Sequence, residues 1–304
     1  MSAADTTATT RATNASGPAE RARRRRPSAS WLLLLPALAL MAVVLIIPLG
    51  QSLYRSVAEP TWTLQHYANL FTDGVTLTVL GRTALTALVV TACAFVLGYP
   101  YAYLMTRVGP RARAVLLVIV LIPFWTSVMA RNFAWIIILQ RGGPLNEALA
   151  FLGLDGVVLY GSVAGVTVAM TQVLLPFMVL PLYSALGGID RRLLLAARGL
   201  GSSPLVAFWK IYWPLSRGGV VSGLILVFTL SLGFYVTPAL LGTPQQSLVA
   251  QLLAQRTTQL LDFAGAGALG MLVLVVTLAL VAWANRIGGS VSAIGIVASP
   301  GGKR

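Results

Sequence analysis

Residues 188–220 read GIDRRLLLAARGLGSSPLVAFWKIYWPLSRGGV. This stretch is polar and basic, whereas the sequence on both sides of it is nearly all apolar. It also carries start and stop signals for two short helices. The pattern predicts a surface segment between two membrane spans, and the remaining sequence indicates the membrane and the side on which the segment lies.

The composition excludes a soluble globular protein. Of the 304 residues, 57% are hydrophobic and 10% are charged, and the mean hydropathy is +0.82. Such a chain cannot surround an apolar core with a polar surface, so we predict an all-α integral membrane protein. The formal net charge of +14 does not indicate a nucleic-acid partner, because the basic residues lie between apolar runs rather than on one soluble face.

Six apolar runs are long enough to cross a membrane, since a span needs about 20 residues. They cover residues 31–53, 80–105, 112–138, 160–186, 218–241 and 264–285. We predict a six-helix membrane domain over 31–287, a disordered basic tail over 1–30 and a second tail over 288–304. A cleaved signal peptide or a twin-arginine export signal is the weaker alternative, because the first run has the length of a span rather than of a signal core.

The basic residues are divided unevenly between the two sides of the predicted domain. The side of the N-terminus carries 17 basic residues and three acids, whereas the opposite side carries five and five. Lys and Arg are enriched in cytoplasmic loops of membrane proteins. We therefore predict that both termini are cytoplasmic and that residues 188–218 form a cytoplasmic loop.

The loop contains local signals for a helix, a glycine turn and a second helix. Asp190 can cap a helix over 191–198 that Gly199 and Gly201 end. Ser203 can cap a second helix that starts at Pro204, runs through Lys210 to Trp213, and is closed by Pro214. We expect both helices to lie along the membrane surface and to present small alanine side chains to a docking partner.

The sequence shows no group that could catalyse a reaction or convert energy. None of the six apolar cores contains Asp or Glu, which counts against an ion-driven carrier. The pair Gly302-Lys303 is not a phosphate-binding loop, because Arg304 follows it. The single cysteine, Cys93, and the single histidine, His66, have no partners at metal-ligand spacing. We therefore predict a protein that is not an enzyme, binds no cofactor or metal, and takes its energy from a partner.

Five positions of the loop keep the register of a known motif, which reads Glu-Ala-Ala, three residues, Gly, nine residues, Ile, one residue and Leu-Pro. These positions are Ala196, Ala197, Gly201, Ile211 and Pro214. Leu195 stands where the motif has Glu, and Trp213 stands where it has Leu. In this motif the chain resembles the permease subunits of binding-protein-dependent ABC importers.

The resemblance extends over about residues 80–285 and is to the spermidine/putrescine branch of that family. The segments that carry it are Pro123–Ser127 with Arg131, Ala134 and Trp135, then Leu175–Tyr183, and finally Gly233–Pro238. The resemblance implies a type I importer permease-like fold that crosses the bacterial plasma (inner) membrane several times.

The resemblance also implies partners and a function. We expect a cytoplasmic ABC ATPase dimer that holds ATP and Mg, a second permease subunit that is a different chain, and an extracytoplasmic solute-binding protein. The transported solute is expected to be a polyamine such as spermidine or putrescine. The alternative function is a stand-alone secondary carrier or channel for a small solute.

Two sets of candidate site residues follow. The loop residues expected to couple to the ATPase are Asp190, Arg191, Leu195, Ala196, Ala197, Gly201, Ile211 and Pro214. The residues expected to line the translocation path are Trp125, Arg131, Gln172 and Tyr235. An arginine beside a polycation route would repel the solute, so for Arg131 a place at the outer membrane interface or in docking the solute-binding protein is favoured over solute contact.

Overall fold

The computed structural model describes residues 30–59, 61–151, 153 and 158–287. The predicted tail over 288–304, and the predicted tail over 1–30 except for its last residue, lie outside these ranges. The described α-helices are α1 (Ser30–Ala58), α2 (Gln65–Thr72), α3 (Gly74–Arg107), α4 (Pro110–Trp125), α5 (Val128–Leu139), α6 (Pro144–Phe151), α7 (Val163–Gly187), α8 (Arg191–Gly199), α9 (Pro204–Ala207), α10 (Trp213–Leu232), α11 (Val236–Leu241), α12 (Val249–Thr258) and α13 (Phe263–Ile287). A π-helical turn, Phe208–Tyr212, joins α9 to α10, and a 3-10 turn, Pro244–Gln246, precedes α12.

The helical membrane architecture is confirmed, but the number of spans depends on one bend. The helices α1, α3, α7 and α13 and the continuous helix Pro204–Leu232 are long and apolar enough to cross a membrane. The pair formed by α4 and Val128–Phe151 makes a sixth span only if it is counted as one, because it is bent by 99°. The predicted run 112–138 is thus interrupted, and the run 218–241 ends as a helix at Leu232.

The described residues fall into two units, one over 30–49 and the other from Gly50 to Ile287. The described part of the first unit, 30–49, is a regular stretch of α1 with Pro36 and Pro48 inside the helix. It is apolar along its whole length, as a membrane span requires. All contacts described below lie within the second unit.

The core of the second unit is the packing of α7 against α3 and α10, which make the most extensive helix contacts. Met178 of α7 lies between two glycines. A Cβ atom on Gly98 of α3 would lie 2.9 Å from Met178 Cγ, and one on Gly223 of α10 would lie 2.7 Å from its Sδ. One turn earlier on α10, Gly219 packs against Ala185 in the same manner. Small residues permit this approach in a membrane, where burial from water does not drive helices together.

Many buried hydroxyl groups in these helices donate to carbonyls of the same helix, whereas the buried Oγ1 of Thr86 on α3 has no hydrogen-bond partner among the described residues. Thr91, Thr171 and Ser231 each donate to the carbonyl four residues earlier at 2.7 Å. Thr83 does the same and also accepts the backbone N–H of Val249 at 2.9 Å, which ties the start of α12 to α3. Internal satisfaction of polar groups is what a bilayer demands of a spanning helix.

The two ends of the helices differ in polarity. We call the end that carries residues 107–113 and 188–218 the basic end. The end that carries 65–74 and 242–262 is called the outer end, because the charge distribution predicts that it faces away from the cytoplasm. At the outer end a second apolar cluster forms where α2, α3, α12 and α13 meet, with Leu70, Val249 and Leu269 almost completely buried. This cluster leaves the opposite face of α12 open.

Arg256 of α12 connects the starts of α3 and α13 at the outer end. Its Nη2 donates to Thr76 Oγ1 at 2.8 Å and lies 3.5 Å from Asp73 Oδ2, and its Nη1 lies 4.0 Å from Asp262 Oδ2. Only 15% of the Arg256 side chain is exposed. The guanidinium therefore compensates two carboxylates that cap the helices following them.

Asp73 begins α3 by accepting the N–H groups of Val75 and Thr76 at 3.1 and 3.2 Å. The Thr76 hydroxyl bond is the largest cause that holds the pKa of Asp73 below its ordinary value of 3.8, and the backbone N–H bonds and Arg256 act in the same direction, against partial desolvation. A carboxyl with a depressed folded-state pKa stabilises the fold at pH values above the unfolded value. That contribution is lost as the pH falls through the folded value.

We expect Arg256→Gln to lower the free energy of unfolding by about 1–2 kcal/mol, because it leaves Asp73 and Asp262 without their shared cation while both stay partly hydrated. Thermal unfolding of the detergent-purified protein, followed by fluorescence, measures the change. Arg141→Gln is the matched control, because Arg141 is exposed at the same end. Equal unfolding temperatures for Arg256→Gln and the control would show that Arg256 does not hold this end together.

The uneven charge distribution predicts the orientation of the helices in the membrane. In a Cys93→Ser background, a membrane-impermeant maleimide should label Arg141→Cys in intact cells and label Arg111→Cys only after permeabilisation. Both positions are exposed, one at each end of the helices. Labelling of Arg111→Cys in intact cells would reverse the orientation assigned by the positive-inside rule.

Candidate functional site

The first half of the loop over 188–218 has the predicted local structure. Asp190 Oδ1 accepts the N–H of Arg192 at 2.9 Å, and α8 follows. Gly201 has a φ of +82°, a left-handed conformation that favours glycine. Its N–H donates to the carbonyl of Arg198 at 3.0 Å, and the N–H of Ser202 donates to that of Ala197 at the same distance. These bonds end α8 and reverse the chain.

The second helix begins as predicted but does not end there. Ser203 Oγ accepts the N–H of Val206 at 3.4 Å, and Pro204 occupies the first turn. The helix then continues through the π-helical turn into α10. The expectation that Pro214 closes the second helix is therefore wrong.

The π-helical turn explains how Pro214 fits inside the helix. The N–H of Trp213 donates to the carbonyl of Phe208, five residues earlier rather than four. Proline lacks an N–H and its ring collides with the carbonyl four residues earlier in a regular helix, and the wider turn supplies the missing room. Loop and span consequently form one helix, Pro204–Leu232.

Aromatic side chains fasten this helix to the last turns of α3. The ring centroids of Tyr99 and Trp213 are 5.6 Å apart, and those of Tyr103 and Tyr212 are 5.3 Å apart. The ring of Phe208 lies 6.2 Å from Tyr99 and 6.1 Å from Tyr103. Each such pair contributes about 0.5–1.5 kcal/mol beyond the burial of its area. The second helix of the loop is thus firmly attached to the membrane bundle.

Several apolar side chains of the loop are exposed. Leu195 is 65% exposed and Leu200 is 90% exposed, and Leu193 and Leu205 are exposed as well. Exposed leucines among arginines, on a segment between two spans, are of the kind that marks a protein partner. Of the remaining loop candidates, Ala196 and Pro214 are exposed and Ala197 and Ile211 are half-buried, whereas the side chain of Arg191 lies outside what the structure describes.

The bend between α4 and α5 involves Arg131. The chain leaves the helical path at Thr126 and Ser127, so the carbonyl of Pro123 loses its place in the helical ladder. Arg131 Nη1 donates to that carbonyl at 2.6 Å, and Thr126 Oγ1 donates to it at 3.2 Å. Arg131 therefore braces the bend. Trp125, the last residue of α4, is 74% exposed beside it.

The other two path candidates make their contacts elsewhere. Gln172 of α7 accepts a bond from Trp135 Nε1 at 3.3 Å, which links α7 to α5. Tyr235 lies at the outer end, where it lines a cavity of about 300 Å³ between α11 and α12. The four residues thus mark separate points along the bundle rather than one shared contact.

The outer cavity contains polar residues that the sequence interpretation missed. Gln251 and Gln255 lie on one face of α12, Gln259 directly follows the helix, and Ser247 and Thr258 add hydroxyl groups. All the side chains that line it are uncharged. Amide oxygens and the tyrosine ring can receive ammonium or hydroxyl groups of a solute. The spacing i, i+4, i+8 of the glutamines was the available signal, because it places them on one face of a helix.

The described residues contain no group of three or more His, Cys, Asp or Glu side chains that could hold a metal ion. The imidazole Nε2 of His66 lies 2.8 Å from the carbonyl of Glu59, and Cys93 is exposed on α3. The geometry therefore offers a docking surface at the basic end and a neutral polar cavity at the outer end.

Both the sequence and the fold match known transport proteins. Residues 94–289 match the family described as binding-protein-dependent transport system inner membrane component. The spermidine/putrescine transport system permease protein PotB of Haemophilus influenzae is 31% identical over 266 residues, which are 85% of this chain and 91% of that protein. PotB of Escherichia coli strain K12 is 32% identical over 237 residues, which are 76% of this chain and 86% of that protein.

A solved structure shares the fold. It is the crystal structure of a bacterial alginate ABC transporter in complex with an alginate pentasaccharide-bound periplasmic protein, and one of its chains superimposes with a TM-score of 0.64 at 18% identity. The superposition covers 88% of this chain and 96% of that chain. Together with the apolar helices, these similarities identify a multi-pass protein of the inner membrane. The chain belongs to the family of binding-protein-dependent inner membrane components, which are the permease subunits of ABC importers.

Proposed function

We propose that this chain forms the translocation path of an ATP-driven importer for a polyamine such as spermidine or putrescine. An extracytoplasmic binding protein would deliver the solute, and a cytoplasmic ATPase dimer holding ATP and Mg would supply the energy. A second permease, a different chain, would form the other wall of the path. The observation that carries the proposal is the loop over 188–218. Its exposed leucines lie on two short helices and the turn between them, and the second helix is continuous with a span.

The loop has the properties of a docking surface for the ATPase. The exposed side chains of Leu195 and Leu200 can enter an apolar groove, and the surrounding arginines can meet acidic side chains at its rim. Ala196 is exposed between them and leaves room for close approach. Leu195 replaces the usual glutamate of the motif, so the contact at this point would depend on shape and burial rather than on a carboxylate.

The same loop is built to pass movement to the membrane helices. Its second helix runs without a break into α10, and aromatic contacts attach it to α3. A displacement imposed on α8 would therefore reach the bundle through packed side chains rather than through a flexible linker. An alternating opening of the path to the two sides of the membrane is the expected result.

The polyamine assignment is supported by the names of the similar PotB proteins. The outer cavity limits how this chain would recognise such a solute. No carboxylate of the described residues lines it, and Asp73 and Asp262 at the same end are engaged with Arg256. Recognition by this chain would then depend on glutamine oxygens and the Tyr235 ring. These groups carry no formal charge but attract ammonium groups.

Affinity purification from native membranes and solute uptake test this function together. We expect the tagged chain to bring down a nucleotide-binding subunit, a second permease and a solute-binding protein. Cells that lack the chain should lose uptake of radiolabelled spermidine or putrescine, and ATP depletion should stop uptake in cells that have it. Excess unlabelled polyamine should compete, whereas a neutral sugar should not.

A different outcome would identify the alternative class of transporter. If the purified chain alone moved solute across liposomes without nucleotide, it would be a secondary carrier or channel. If the ATPase co-purified but polyamine uptake did not depend on the chain, the importer assignment would stand and the solute would be another one.

We expect Gly201→Pro to reduce uptake by about tenfold or more while the subunits still co-purify. Proline fixes φ near −65° and removes the N–H, so it cannot adopt the φ of +82° or donate to Arg198. The turn between the two loop helices would be lost. Uptake and ATP hydrolysis in reconstituted vesicles measure the uncoupling.

Two matched variants separate this effect from a general disturbance of the loop. Gly199→Ala lies inside α8 with open space around its Cβ position and should leave uptake within about twofold. Gly201→Asn should retain most activity, because asparagine tolerates the left-handed conformation. Parental uptake by assembled Gly201→Pro would show that the turn does not transmit movement.

A further inference from the structure

A small cavity lies at the basic end, where α3 ends, α4 begins and α7 ends. Its volume is about 140 Å³, which is enough for several water molecules. Arg107, Arg113, Tyr183 and Tyr212 line it, together with the hydroxyl-bearing Thr106. The proposed function assigns no role to this cavity.

Both arginines are held in place by neutral partners. Arg113 donates from Nε to the carbonyl of Met105 at 3.2 Å and from Nη2 to that of Val108 at 3.3 Å. Arg107 donates from Nη2 to the hydroxyl of Tyr103 at 2.7 Å, and its guanidinium carbon lies 4.7 Å from the centre of that ring. These contacts orient the two cations and leave other N–H groups of each for a ligand.

No carboxylate compensates these two charges within the described ranges. The ion pairs recorded there all lie at the outer end. At the basic end the carboxylate of Asp190 accepts the backbone N–H of Arg192 as the cap of α8. A half-enclosed space with two fixed guanidinium groups and tyrosines favours an anion, and paired arginines match the oxygens of a phosphate.

The position of the cavity indicates where the phosphate comes from. Arg107 is the last residue of α3, a helix of 34 residues, so the cavity lies where such a span leaves the hydrocarbon. On the same hairpin Leu104 is 47% exposed and Val115 is 58% exposed. A bond from the hydroxyl of Tyr101 to the carbonyl of Leu116, 2.6 Å long, holds the two helices of the hairpin together. An acyl chain can lie along these apolar side chains while its phosphate enters the cavity.

We propose that this cavity binds the phosphate group of an anionic phospholipid from the surrounding leaflet. Arg107 and Arg113 neutralise the phosphate, and the tyrosines that line the cavity lie at the headgroup level, where such residues are enriched. The exposed leucines assigned to ATPase docking, Leu195 and Leu200, are not among the residues that line it. A bound lipid would fix the end of α3 against the end of α7, beside the first residues of the loop.

Native mass spectrometry of the detergent-purified chain with its co-purifying subunits tests the proposal. Dioleoyl phosphatidylglycerol is titrated against dioleoyl phosphatidylcholine and against inorganic phosphate. We expect the first to bind with discrete stoichiometry and the other two not to bind. Arg107→Gln and Arg113→Gln should each weaken phosphatidylglycerol binding by about fivefold, the effect of one basic residue near a charged lipid.

Two further variants separate the site from bulk charge and from misfolding. Arg111→Gln removes an exposed charge from the same segment but lies outside the cavity, so binding should stay within about twofold. Arg113→Lys keeps the charge and should retain more binding than Arg113→Gln.

Several results would overturn the proposal. Equal losses with Arg111→Gln would show that bulk charge attracts the lipid. Inorganic phosphate that bound as tightly as the lipid would show a soluble-anion site. Loss of the co-purifying ATPase from Arg107→Gln, with lipid binding unchanged, would show that the arginines meet a protein carboxylate.

Discussion

Met178 of α7 fills a slot between Gly98 of α3 and Gly223 of α10, and this contact sets the distance between the three central helices. No side chain larger than hydrogen fits at either glycine without moving Met178. Because α7 and α10 touch along this line, the loop over 188–218 joins two helices that are already in contact. A force on the loop therefore acts on a closely packed unit, which has few voids and a low compressibility.

The two ends of this unit depend on different interactions. At the outer end, Arg256 and the Thr83 hydroxyl tie α12 to α3, so that a charge and a hydrogen bond hold the helix whose glutamines face the cavity. At the basic end, contacts between aromatic rings hold the helices together, and no described ion pair contributes. The helix α3 takes part in both arrangements and is therefore the element that connects the two ends mechanically.

Local chemistry accounts for what the sequence predicted well. The Asp190 cap, the Gly201 turn and the Ser203 start are set by residues within a few positions of each other, and the charge asymmetry needs only counting. The π-helical turn escaped prediction because it depends on rings of α3, distant in sequence, packing against Phe208 and Tyr212. The bend after Trp125 interrupts a run that is mostly apolar, so hydropathy alone did not show it. The cavity beside α12 forms only where α11 and α12 come together, which the sequence pattern does not specify.

The continuous helix from Pro204 to Leu232 also has a mechanical consequence. At a rise of 1.5 Å per residue its 29 residues extend over about 43 Å. A tilt of only about 10° around its loop end would carry Leu232 sideways by roughly 7 Å, more than the diameter of a water molecule. Leu232 stands three residues before Tyr235, which lines the outer cavity. If the helix tilts as one unit, a small rotation at one face of the membrane would therefore produce an aperture-sized displacement at the other.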